Sequence, residues 1–165
     1  MTETVFEVQG LTIQDIWQRL LSLTSHPRYD VLSLSRVSYD DDETRIESIY
    51  RDKEQSFSMM RHIVSESLYT QLRTVKNTSI FSLLKKTITF LLENEYYTIS
   101  GSLSLEAPQS KTHVRVVVSI ASISFHKMLA RVPHFIQKKV REYICHRIHH
   151  DVQDIIHPHV VFPST

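Results

Sequence analysis

Thr112-His113-Val114-Arg115-Val116-Val117-Val118-Ser119-Ile120 decides how this chain folds. Strand side chains alternate with period two, so Val114, Val116, Val118 and Ile120 fall on one face of a strand read from Lys111 to Ser124. That face needs a cover. From Arg131 to Ile156 the apolar residues Val132, Ile136, Val140, Tyr143, Ile144, Ile148, Val152 and Ile155 recur at helical spacing and form one stripe. The two segments in this order predict a sheet with a long helix laid across it.

Working back from that stretch, Val5 to Val8 reads as a short strand. Thr12 and Asp15 form a capping box, with Leu11 and Ile16 placed as a hydrophobic staple. The helix they open carries Ile13, Ile16, Trp17, Leu20 and Leu21 on one side. It is expected to end at His26-Pro27, because proline disfavours the helical conformation of the residue before it. Val31 to Tyr39 and Thr44 to Arg51 predict a hairpin turned at Asp40-Asp41-Asp42. Phe57, Met60, Val64 and Leu68 predict a short helix over Ser56 to Leu68. Strands over Tyr69 to Lys76, Leu83 to Leu92, Glu95 to Glu106 and Lys111 to Ser124 then form a meander. Its turns are read at Asn77-Thr78-Ser79, at Asn94 and at Ala107-Pro108-Gln109-Ser110. Tyr97, Ile99, Leu103 and Leu105 share a face on which Gly101 leaves space, while Ser100, Ser102 and Ser104 make the other face wet.

The 165 residues, 41% of them hydrophobic, suffice for one core and predict a single domain over residues 1–165. The near-apolar run Val114 to Phe125 is too short for a membrane span of about 20 residues. The start Met1-Thr2-Glu3-Thr4 lacks the basic and apolar regions of a secretory signal, and Cys145 has no second cysteine to pair with. A reducing, cytoplasmic location is expected.

Charge is uneven along the chain. Residues 1–55 carry 11 acidic and 6 basic groups, against 7 and 13 in residues 56–165. The excess of base gathers at Lys127, Arg131, Lys138, Lys139 and Arg141, where it predicts transient contact with an anionic membrane. A merely solvated helix face is the alternative. No nucleic-acid partner is expected.

Catalytic signatures are missing from the sequence. With Gly10 and Gly101 its only glycines, it has no phosphate-cradling loop and no Gly-x-Ser-x-Gly nucleophile turn. Cys145 is expected opposite the apolar stripe as a plain thiol. The Asp40-Asp41-Asp42 run lacks the glycine and distal glutamate of a calcium loop. His146, His150 and Asp154 line one side of the helix at i, i+4, i+8, but with no second shell in view they read as surface groups, and neither a metal nor a cofactor is expected. Arg147 and Asp151 fall within the apolar arc of the helix. If that arc is covered, they should pair with each other or with a ligand head group, because an unpaired buried charge costs several kcal/mol. If the helix leaves the sheet near Ile144 they are simply wet, and apolar stripes often fade this way toward chain ends.

The order strand, helix, hairpin, short helix, meander and long C-terminal helix resembles the START-like, or helix-grip, superfamily of polyketide cyclases and lipid-transfer proteins. The resemblance is architectural, covers nearly the whole chain, and is closest from Tyr97-Thr98-Ile99-Ser100-Gly101-Ser102-Leu103-Ser104-Leu105 through Val114-Arg115-Val116-Val117-Val118 into Phe135-Ile136-Gln137-Lys138-Lys139-Val140. It implies an α+β helix-grip fold, a curved antiparallel sheet wrapped around the last helix, with a cavity for a lipid or sterol-like molecule. The walls it implies come from the sheet at Tyr97, Ile99, Gly101, Leu103, Val116 and Val118. From the helices it implies Trp17, Ile136, Val140, Tyr143, Ile144 and Arg147. Binding or transfer of an apolar ligand is the leading expectation. An adaptor with a filled core and a cyclase or aromatase-type enzyme remain the alternatives.

Overall fold

Strand β7 (His113–Phe125) pairs antiparallel with β6 (Tyr97–Glu106) on one side and with β1 (Thr2–Gln9) on the other. Adding β2 (Tyr29–Ser38), β3 (Glu43–Asp52), β4 (Thr74–Ser82), β5 (Thr87–Glu93) and β8 (Val160–Val161) gives one curved eight-stranded sheet in the order β2-β3-β4-β5-β6-β7-β1-β8. The computed structural model describes residues 2–22, 29–38, 41–53, 65–107, 113–156 and 160–161. Most of the segment read as a helix over Ser56 to Leu68 lies outside these. No described helix is long and apolar enough to cross a membrane.

Helix α1 (Ile13–Leu21) opens on the capping box: the Asp15 amide donates to Thr12 Oγ1 at 3.1 Å and the Thr12 amide to Asp15 Oδ2 at 2.8 Å. It buries Ile16 and Trp17, and the Trp17 ring meets Phe81 edge-on at 5.4 Å. It ends at Leu21, before the expected Pro27. The Ser22 amide bonds back to the Gln18 carbonyl, and the Arg36 guanidinium donates to the Leu21 carbonyl, so the helix end is satisfied without proline.

Three segments differ from the sequence reading, the first because long-range pairing overrides local preference. Asn77-Thr78-Ser79 runs through the middle of β4, laddered to β3 and β5, with the Ser79 hydroxyl donating to Asn77 Oδ1 at 3.0 Å. The turn falls instead at Leu83–Lys86, where Asp42 accepts from the Leu84 amide at 2.6 Å and the Ser82 hydroxyl at 3.0 Å, and Lys86 takes a left-handed φ of 54°. Tyr69 to Leu72 belongs to helix α2 (Glu66–Leu72), so the strand begins only at Thr74. The long terminal helix is cut as well, into α3 (Lys127–Arg131) and α4 (His134–Ile156). Pro133 keeps Val132 extended at φ −69°, ψ 156°.

Helix α4 lies on the face of Val114, Val116, Val118 and Ile120, all buried. Val140 and Ile144 pack with Ile99, Tyr97, Ile120 and Leu129, and not with Val116, Val118 and Leu103. Those three belong to a second cluster reached by the far end of α4 through Ile148, Val152 and Ile156. Gly101 leaves no space. A Cβ there would stand 2.4 Å from the Ser119 carbonyl oxygen and 2.5 Å from the Phe90 ring, at a register shift between Ser100 and Gly101. Gly101→Ala is expected to cost about 1–3 kcal/mol through overpacking against backbone. An unchanged thermal midpoint would show that Phe90 and the bulge yield freely.

Candidate functional site

A cavity of about 270 Å³ lies between the concave face of β2 to β6 and the second half of α4. Its wall is mostly apolar, built from Ile46, Val75, Phe81, Ile88, Phe90 and Leu92 on the sheet and Ile148, Val152 and Ile155 on the helix. At one side these give way to a polar group formed by Tyr29, Tyr50, Asp52, Arg147 and Asp151.

Register and helical spacing assemble that group. Tyr29 opens β2 directly opposite Asp52, which closes β3. Arg147 and Asp151 stand one turn apart on α4. The Arg147 guanidinium donates to Asp52 Oδ1 at 3.0 Å through Nη2, while its Nε lies 3.4 Å from Asp151 Oδ1 and 3.3 Å from the Tyr29 hydroxyl. Arg147 also lies over the Tyr29 ring at 5.3 Å, and the Tyr29 hydroxyl donates to Asp151 Oδ2. The Tyr29 and Tyr50 rings meet at 4.7 Å. Behind them, Arg73 Nε donates to the Asp52 carbonyl at 2.9 Å and the Asp52 amide donates back to the Arg73 carbonyl at 2.9 Å.

Burial sets the electrostatics. The Asp52 side chain is 4% exposed, Arg147 14% and Asp151 19%, so these charges act on one another through little water. Burial, then Asp151, pushes the Tyr29 phenol far above its usual range, and burial does the same to Tyr50 and Tyr97. All three phenols keep their protons at any physiological pH. Burial alone would lower Arg147, but Tyr29, Asp151 and Asp52 more than offset it and its pKa rises. The cluster therefore offers fixed donors and acceptors, and its phenols hold protons instead of exchanging them.

Of the wall residues expected from the resemblance, Tyr97, Ile99, Leu103, Tyr143, Ile144 and Arg147 line the cavity. The other six do not. Trp17, Val116 and Val118 are packed into the core beyond it, Val140 and Ile136 pack at the near end of α4, and Gly101 lies beneath Phe90. The pairing of Arg147 with Asp151 corrects the reading of a wet helix end: α4 stays on the sheet to Ile156, which is fully buried. Asp52, Tyr29 and Tyr50 were not singled out in the sequence. Their only signal was their position at the two open ends of the predicted hairpin.

Elsewhere on α4, Cys145 is half-buried with Sγ 3.9 Å from Thr2 Oγ1, not opposite the stripe as expected. His149 is half-buried against β1, its Nδ1 3.0 Å from Thr4 Oγ1, and burial, then His146, lowers its pKa. The His146 and His150 rings lie 5.9 Å apart, and His150 Nδ1 is 3.5 Å from Asp154 Oδ1. Among the described residues no group of three or more His, Cys, Asp or Glu side chains converges on a point. The basic residues Lys127, Arg131, Lys138, Lys139 and Arg141 are all exposed.

No protein-family profile matches the chain, and no curated protein does. Solved structures do. The ZhuI aromatase/cyclase of a Streptomyces species superposes with a TM-score of 0.59 over 94% of this chain and 90% of its own, at 9% identity. The fold is the helix-grip. A protein of Thermus thermophilus gives a TM-score of 0.54 at 12% identity, covering 93% of this chain and 94% of its own. A conserved protein of Geobacillus kaustophilus gives 0.52 at 12% identity, covering 98% of each chain. At these identities the likeness is one of helix-grip architecture, and residue roles rest on the geometry above.

Proposed function

We propose that this helix-grip chain binds an apolar small molecule, of the lipid or sterol-like class, carrying one uncharged polar end. The observation that supports this is the cavity itself, a mostly apolar wall that gives way at one side to the cluster of Tyr29, Tyr50, Asp52, Arg147 and Asp151. Each ligand methylene taken from water contributes about 0.8 kcal/mol, so the wall supplies affinity. The cluster supplies orientation. Arg147 is already engaged by two carboxylates, which repel an acidic head group but accept from a hydroxyl.

Native mass spectrometry of protein purified from cells, followed by titration with fluorescent sterol and fatty-acid probes, tests this reading. The expected result is a co-purified apolar molecule and tighter uptake of the hydroxylated probe than of the acid. A protein that is empty and takes up neither probe is an adaptor on the same scaffold, and the ligand reading is then wrong.

A further inference from the structure

The corner where α3 meets α4 carries two large apolar side chains that the core does not use. Phe135 is 65% exposed and Met128 58%. The corner is nevertheless firmly built: Leu129 is buried beneath it, and Gln137 Nε2 donates to the Leu129 and Ala130 carbonyls at 3.2 and 3.1 Å, tying the end of α3 to α4. On α3, Met128 and Arg131 share a face, and on α4 Phe135 shares one with Lys138 and Lys139. Neither helix has an acid in its first turn. Glu142 is the acid that follows on the α4 face, a turn beyond Lys138.

We propose that this corner docks on an anionic lipid membrane, with Phe135 and Met128 entering the interface and Arg131, Lys138 and Lys139 meeting the head groups. Charge complementarity selects this occupant. Lys127 is paired with Glu95 at 3.2 Å and Arg141 lies over the Phe125 ring at 5.2 Å, whereas Arg131, Lys138 and Lys139 have no partner among the described residues. Unpartnered cations around exposed apolar side chains suit a surface with dispersed negative charge above hydrocarbon. Phe135 lies about two helical turns before Tyr143, the first α4 residue at the cavity, so the corner and the cavity are separate surfaces on one helix.

Co-sedimentation of the full chain with phosphatidylcholine vesicles, with and without phosphatidylserine, tests the proposal. Binding is expected only to the phosphatidylserine vesicles and is expected to weaken steeply with salt. Phe135→Ser should lower affinity about tenfold while preserving the salt dependence. Lys138→Glu with Lys139→Glu should lower it at least ~20-fold and flatten that dependence. Because all three positions are exposed, unchanged melting curves will show that the variants fold. Equal binding to both vesicle types, or binding indifferent to Phe135→Ser, overturns the proposal. So does a dimer lost on Phe135→Ser in a protein that ignores vesicles, which would assign the corner to a second copy. A failed ligand search leaves these outcomes untouched, since no varied residue lines the cavity.

Discussion

Arg147→Met is expected to destabilise the protein by about 3–5 kcal/mol at neutral pH, because it removes the guanidinium that contacts both Asp52 and Asp151 in a site with little water. For a chain of this size that is a fall of roughly 10 °C or more in thermal midpoint. The pH dependence has a definite sign. Without the guanidinium the native carboxylates bind protons more tightly than they do in the unfolded chain, so the lost stability returns as pH falls toward ~4. Adding Asp52→Asn should recover part of the loss at neutral pH. Calorimetry of the single and double variants from acid to neutral pH measures all three effects. A single-variant cost below ~1 kcal/mol, constant with pH, would show that water already screens the cluster.

Ile144→Asp should cost at least ~3 kcal/mol or abolish folding. Ile144 is 6% exposed between Tyr143 and Cys145 on α4 and packs in the cluster of Ile99, Ile120 and Leu129, so the change combines lost burial with an unpaired charge. Denaturant unfolding of the variant reads it directly. A change within ~0.5 kcal/mol would mean that α4 is not held on the sheet at this point.

These two residues also mark how far the sequence could be read. Ile144 was legible because helix periodicity alone assigns it to the covered stripe, and β7 was legible because Val114 to Ile120 alternate without interruption. The Thr12 and Asp15 capping box was legible because its partners are three residues apart. The turn after β4 was not. Leu83 to Lys86 has no turn composition, and it closes on Asp42, which lies about forty residues earlier. The same limit applies at the cavity. Arg147 and Asp151 could be placed on one arc of α4, but Asp52 and Tyr29 join them only through the β2–β3 register and the curvature of the sheet. The extended Val132 before Pro133 was carried by a local rule, yet a long apolar periodicity masked it.

The place of β1 in the sheet bears on how the chain reaches this fold. Thr2–Gln9 lies between β7 and β8, and its ladder to β7 joins residues separated by roughly 110 positions. On a ribosome β1 thus emerges long before its partner β7, and until the two meet the Val114 to Ile120 edge of β7 stays open. Closing so long a loop is slow compared with hairpin formation in β2–β3 or β6–β7. The interval exposes an unpaired, valine-rich edge to other nascent chains, so yield on refolding should fall with protein concentration even though the finished sheet buries that edge.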